Sequence, residues 1–117
     1  MREERGQLAG EVVVYEPFNL WGSVGGNVKV IEGGKLYVRG AIYGDLDVEY
    51  GGRVHIFGNV SGSLRVHRGA KVIHSGTLAG DATNLGGRLF IEPMAKIHGK
   101  VKTKKGETTD QRPPVKK

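Results

Sequence analysis

The chain has no cysteine. That absence excludes a disulfide framework, a thiolate metal site and a cysteine nucleophile, and it fits a reducing compartment. No apolar stretch approaches the ~18 residues of a membrane span, and Met1-Arg2-Glu3-Glu4-Arg5 lacks the apolar core of a signal peptide. A soluble, cytoplasmic protein is expected. Aromatic residues are few, at 7%, and none follows Phe90, so the basic C-terminal end has no ring on which to stack bases and specific nucleic-acid binding is not expected there. There is no Gly-x-x-x-x-Gly-Lys-Ser/Thr phosphate loop. The four histidines, His55, His67, His74 and His98, are irregularly spaced and form no Ser/His/Asp grouping. No catalytic residue, cofactor, metal site or small-molecule substrate is therefore expected, and the chain reads as a non-enzyme.

What is present is a beat. Val30, Leu36, Ile42, Val48, Val54, Val60, Val66, Val72 and Leu78 recur six residues apart, and the register runs back through Val24, Phe18 and Val12. A period of eighteen is visible independently in Gly22/Gly40/Gly58/Gly76 and Gly26/Gly44/Gly62/Gly80. Internal repeats of this length mean stacked units. From Leu36 to Val48, apolar or small residues alternate with polar ones, the period of strands with one buried face. Turn signals fall at Gly33-Gly34, Gly51-Gly52, Gly69-Ala70 and Gly86-Gly87. Short strands joined by regular corners describe a parallel β-helix with a triangular cross-section, each coil rising ~4.8 Å on the last.

One coil reads Leu36, Val38 and Gly40 on one face, Ile42 and Gly44 on the next, Leu46 and Val48 on the third. The register slips by one between Asp81 and Arg88, which reads as a shortened corner, and Leu89, Ile91, Ala95, Ile97 and Val101 then resume the inward role. His74 breaks the inward series where other coils place Val38 and Ile56. It is expected to be a partly buried histidine with one hydrogen-bond partner.

The six-residue beat also belongs to left-handed hexapeptide-repeat proteins, and a trimeric left-handed acyltransferase or zinc carbonic-anhydrase-like enzyme is the alternative reading. In that pattern Gly, Asn or Asp usually follows each aliphatic, whereas here those positions are Ile31, Tyr37, Tyr43, Glu49, His55, Ser61, His67, Ile73 and Ala79. The units Gly40-Ala41-Ile42-Tyr43-Gly44, Gly58-Asn59-Val60-Ser61-Gly62 and Gly76-Thr77-Leu78-Ala79-Gly80-Asp81, with the ending Leu89-Phe90-Ile91-Glu92-Pro93-Met94-Ala95-Lys96-Ile97-His98-Gly99, resemble the bactofilin family. The resemblance covers about residues 12–103. It implies a right-handed β-helix of about five coils flanked by flexible tails, and a bacterial cytoskeletal scaffold that polymerises end to end without nucleotide and organises cell-shape or envelope machinery. Bactofilins often carry a short apolar membrane-targeting stretch at the N-terminus. Residues 1–11 here are mostly charged or small, so attachment through them is not expected.

The expected organisation is an N-terminal tail (1–11), a β-helix domain (12–103) and a basic, proline-containing disordered tail (104–117). An open β-helix exposes unpaired backbone groups at each end, and terminal repeats need a polar outer face or a cap. Neither tail reads as one. End-to-end stacking is thus expected through Val12, Phe18, Leu20 and Val24 at one end and Leu89, Ile91, Ile97 and Val101 at the other. About five aliphatic side chains per end, worth ~1.5–3 kcal/mol each, stand against an association cost of ~4–15 kcal/mol.

Residues eighteen apart stack in columns. Trp21, Arg39 and Phe57 form an outward one with Tyr37, His55 and Ile73 beside it; this strip reads either as a lateral contact between filaments, through Trp21, Tyr37, Arg39 and Phe57, or as side chains stacked only on each other. Lys29, Asp47 and Arg65 alternate in sign. Asp45, Ser63 and Asp81 are spaced too widely to hold a cation, since carboxylates two coils apart lie ~10 Å from each other. The net charge of +6 is all C-terminal. Lys100, Lys102, Lys104, Lys105, Arg112, Lys116 and Lys117 form either a solvated end or a contact with an anionic surface such as the inner face of the membrane. The partners expected are the protein itself and, through the tails, envelope or cell-shape proteins.

Overall fold

The computed structural model describes residues 1–114. Among these there is no helix. The strands, in chain order, are β1 (Arg2–Glu4), β2 (Gln7–Leu8), β3 (Val12–Val14), β4 (Pro17–Leu20), β5 (Ser23–Val24), β6 (Val28–Val30), β7 (Lys35–Val38), β8 (Ala41–Ile42), β9 (Leu46–Val48), β10 (Arg53–Ile56), β11 (Asn59–Val60), β12 (Leu64–Val66), β13 (Lys71–His74), β14 (Thr77–Leu78), β15 (Ala82–Ile91), β16 (Lys96–Ile97) and β17 (Val101–Asp110). Every pairing is parallel.

The chain winds as a parallel β-helix with three faces. The first face stacks β1, β4, β7, β10, β13 and the second half of β15; the second stacks β2, β5, β8, β11, β14 and β16, one strand per turn in a six-stranded sheet; the third stacks β3, β6, β9, β12 and the first half of β15. β17 extends both flanking faces by pairing with β15. The body measures 41 × 27 × 21 Å.

Alternation places one aliphatic column after another inside. Leu36, Val38, Ile42, Leu46 and Val48 are at most 1% exposed, and each sits over its counterpart eighteen residues on, Leu36 against Val54 and Leu46 against Leu64. Between the third face and the first, the chain closes a tight turn in which the N–H of Gly34 donates to the Ile31 carbonyl, and Gly52 to Glu49 in the next coil. Gly33 and Gly51 hold φ of +87° and +79°, the left-handed value that a type II turn requires at its third residue. Gly40 and Gly58 answer a different demand: a Cβ there would collide with the carbonyl oxygen of Gly22 or Gly40 in the coil before.

The expected slip lies at Asn84. It occupies the place of Val30, Val48 and Val66, and the next turn begins a residue early, with Lys71 paired to Arg88. A turn at Glu92–Ala95, where the Ala95 N–H donates to the Glu92 carbonyl, then lengthens the spacing from seventeen to nineteen, setting Leu78 over Ile97.

The expected tails need correction. Residues 2–8 form strands β1 and β2 over β4 and β5, and residues 101–110 form β17. About six turns replace the expected five. The offsets are why these coils escaped an eighteen-residue ruler: Arg2 pairs with Phe18, sixteen on, and Ala82 with Val101, nineteen on.

Candidate functional site

The two ends of the β-helix are the first candidate surface. Because the added coils lie outside the expected ones, Phe18, Leu20 and Val24, together with Leu89 and Ile91, are each only 1% exposed. They are core residues, not end residues. Val12, Ile97 and Val101 remain at the ends, half-buried against the core, and Leu8 joins them.

Apart from Val14, which is buried over Val30, the residues that fill the remaining inward positions of the terminal coils are polar. Arg2 and Glu4 pair with Phe18 and Leu20, and Thr103, Thr108 and Asp110 pair with Asn84, Leu89 and Ile91. The Arg2 guanidinium lies 4.8 Å from the centre of the Phe18 ring, and the Thr103 hydroxyl donates to that of Thr108 at 2.7 Å. Each end therefore mixes two half-buried aliphatic side chains with charged or hydroxyl groups, and the five-aliphatic interface expected does not exist. The outer edges of β1, β2 and β3 have no strand partner among the described residues, and neither has the outer edge of β16.

The lateral strip on the first face is a stack of alternating cations and rings. The Arg39 guanidinium sits 4.9 Å from the Trp21 ring and 4.8 Å from that of Phe57, with Tyr37 at 5.7 Å, while Arg5 covers Trp21 from the other side at 5.1 Å. His55 stacks on Phe57 with ring centres 3.8 Å apart. Arg39 Nε donates to Asn19 Oδ1 at 3.2 Å. Trp21 and Phe57 keep 43% and 42% of their surface in solvent, so the strip remains available for contact although its ring faces are occupied.

The charged columns are used internally. Arg65 forms a two-pronged bond to Asp47 at 2.7 and 3.0 Å, and the hydrogen bond from Arg65 holds the Asp47 carboxyl below its ordinary range, with His67 assisting. Lys29 pairs with Glu49 at 3.7 Å rather than with Asp47. The Asp45, Ser63 and Asp81 column proves to be a corner ladder: Asn27 accepts from the Asp45 N–H, Asp45 from Ser63, Ser63 from Asp81, and Asp81 from Lys100. Each side chain thus satisfies a backbone donor of the following coil.

Of the basic C-terminal residues, Lys100, Lys102, Lys104 and Lys105 are exposed on or beside β17, Lys102 reaching Asp81 at 3.5 Å. Arg112 is taken up by Asp110 at 2.7 Å. Lys116 and Lys117 lie outside the described residues. His74 is fully buried, with Nε2 3.2 Å from the Lys96 carbonyl and Nδ1 without a partner. Burial lowers its pKa from the ordinary 6.5, which keeps the ring neutral with its proton on Nε2.

Two features escaped sequence reasoning. One is the polar filling of the terminal coils, hidden by the irregular offsets. The other is a row of cations, Lys35, Arg53, Lys71 and Arg88, which are Cα partners at the leading edge of the first face. Their spacing from the corner glycines was the signal that would have revealed them.

The fold and these surfaces define a parallel β-solenoid whose end strands have an unpaired edge among the described residues and whose lateral face is decorated. No family model, no curated protein and no solved structure matches the chain.

Proposed function

We propose that this protein is a self-assembling, nucleotide-independent scaffold whose β-helices join end to end into filaments, as the sequence resemblance to bactofilins implies. The observation that carries the reading is the open strand edge at each end: rows of backbone N–H and C=O groups flanked by Leu8 and Val12 at one end and by Ile97 and Val101 at the other. Such edges template further strand pairing, and a joint that does not close on itself repeats without limit.

The polar residues at the inward positions set the terms of the joint. Two half-buried aliphatic side chains at each of two apposed ends, gaining only part of the ~1.5–3 kcal/mol each of full burial, reach no further than the lower part of an association cost of ~4–15 kcal/mol. Backbone pairing and a register that matches Arg2, Glu4 and Asp110 with opposite charges or hydroxyls must supply the remainder. Assembly is then selective in register and sensitive to salt. The lateral strip of Trp21, Tyr37, Arg39 and Phe57 serves contacts between filaments, and the C-terminal lysines hold the filament near an anionic membrane surface.

Negative-stain electron microscopy of the purified protein at physiological salt, without nucleotide, is the direct test. Unbranched filaments or sheets are expected, and Val12→Asp or Val101→Asp should leave short rods. Discrete trimers would refute the reading, as would long filaments unaffected by both substitutions.

A further inference from the structure

The leading edge of the first face carries an unbroken ladder of like charges. Lys35, Arg53, Lys71 and Arg88 are paired rung on rung, so neighbouring cations are anchored one strand spacing, ~4.8 Å, apart. All four are exposed. Like charges directly opposite on adjacent strands destabilise a sheet, and elsewhere this protein avoids them: Arg65 is set over Asp47, Lys29 reaches Glu49, and Arg39 lies between two rings. None of the four ladder cations forms an ion pair with an acidic side chain among the described residues. Glu107 is the outer Cα partner of Arg88, so the ladder meets an acidic residue only at its last rung, and Lys35, Arg53 and Lys71 have none opposite them; a repeated arrangement that costs stability calls for an anion from outside.

The surroundings narrow the class. A crevice of about 230 Å³ opens between the rungs, rimmed by Lys35, Arg53 and Lys71 and walled by Tyr37, His55 and Ile73. A second, of about 340 Å³, lies along Arg53, Lys71 and Arg88. The two share Arg53 and Lys71 and flank the cation row, the first on the side of Tyr37 and His55 and the second on the side of the corner glycines Gly51, Gly69 and Gly86. Beside the cations, two positions further along each strand, stands the half-buried column Tyr37, His55, Ile73 and Phe90; Lys35 Nζ is 5.5 Å from the Tyr37 ring centre and Lys71 Nζ is 5.7 Å from that of Phe90.

We propose that this edge binds single-stranded nucleic acid without sequence preference, the phosphates following the cation ladder and the bases seated in the first crevice against Tyr37 and His55. A row of charges one residue wide suits a linear polyanion. A lipid surface is met by a broad basic face, and here the ladder is bordered by the aromatic column on one side and by the mixed corner residues Glu32, Tyr50 and Arg68 on the other. A charged groove that tracks the backbone beside rings that receive bases is the general arrangement for sequence-tolerant single-strand binding. A duplex, with its bases paired inward, has nothing to place in that crevice.

The test is fluorescence anisotropy of a labelled oligothymidylate with the full chain, across about 50 to 200 mM salt. Four neutralised phosphates predict a slope of log K against log salt of about −2.8, from ~0.7 per phosphate on a single strand. Arg53→Gln with Lys71→Gln should halve that slope to about −1.4 and weaken binding at least about tenfold at the lowest salt. Tyr37→Ala should weaken binding with the slope unchanged, since it removes a base seat and no charge. A triple Lys102→Gln, Lys104→Gln, Lys105→Gln control should bind within about twofold of the parent, and circular dichroism should show all variants folded. Four outcomes would overturn the proposal: no binding at the lowest salt; loss of binding in the triple control with retention in the Arg53/Lys71 variant; equal affinity for a duplex; or sensitivity of phosphatidylserine-vesicle binding, and not of oligonucleotide binding, to Arg53→Gln with Lys71→Gln.

Discussion

Replacing Asn84 by Val installs the residue type that four earlier coils carry at the same place, as Val14, Val30, Val48 and Val66, yet it should destabilise the protein. The Asn84 side chain is fully buried. Its Oδ1 accepts from the Gly86 and Gly87 N–H groups at 3.0 and 2.9 Å, and its Nδ2 donates to the Gly87 carbonyl at 3.1 Å, the Glu107 carbonyl at 2.9 Å and Thr108 Oγ1 at 3.1 Å. Valine would orphan two backbone donors at ~1–3 kcal/mol each, offset by ~1.5 kcal/mol of added apolar burial. A net loss on the order of 2 to 4 kcal/mol is expected once the lost bonds to Glu107 and Thr108 are included. At ~4–8 °C per kcal/mol for a domain near this size, the thermal midpoint should fall by roughly 10 °C or more. Urea unfolding followed by far-ultraviolet circular dichroism measures the free-energy loss, and a thermal melt on the same signal measures the midpoint. An unchanged or raised midpoint for Asn84→Val would refute the account, because the shortened corner would then need no side chain to hold it.

The other buried polar residue should behave oppositely: His74→Ile removes an unpartnered Nδ1 and matches Ile56 and Ile91 on either side, raising stability by ~1–3 kcal/mol in the same urea assay. Because the folded-state pKa of His74 lies below the ordinary 6.5, the unfolded chain binds more protons as pH falls through 6.5; parent stability should decline from there downward until His74 is protonated in both states, and the variant should lack this component. Arg39→Ala should cost ~1–2 kcal/mol through loss of its contacts with the Trp21, Phe57 and Tyr37 rings and change the emission of Trp21. Gly58→Ala, which drives a methyl into the Gly40 carbonyl, should cost ~1–3 kcal/mol or prevent folding, measured by soluble yield and thermal midpoint.

Much of the interior was legible because a side chain in a β-coil has only two destinations, and the period of two within a period of eighteen assigns one to each residue. Leu36, Val38, Ile42, Leu46 and Val48 were read as inward and are fully buried. His74 was read as histidine with one hydrogen-bond partner, and Lys96 provides it; it is more deeply buried than expected because Ile56 and Ile91 close over it from adjacent coils. The ends were misread for an equally physical reason. Strand pairing tolerates corners of different length, so Arg2 stacks on Phe18 and Thr108 on Leu89 at spacings the central repeat does not show. Polar residues there look like tail composition, although a terminal coil is where a β-helix places polar inward positions.

The sequence by itself determined the parallel β-helix, its repeat, its corners and its aliphatic columns, since these follow from local alternation and from glycines that backbone contact between coils demands. Only the tertiary structure decided where the solenoid stops, that the Asp45, Ser63 and Asp81 column binds backbone N–H groups, and that Lys35, Arg53, Lys71 and Arg88 face outward as one ladder. Those outcomes depend on register between coils, which is fixed by the sum of every corner length and by hydrogen bonds between residues sixteen to twenty-four apart, and no single stretch of chain contains them.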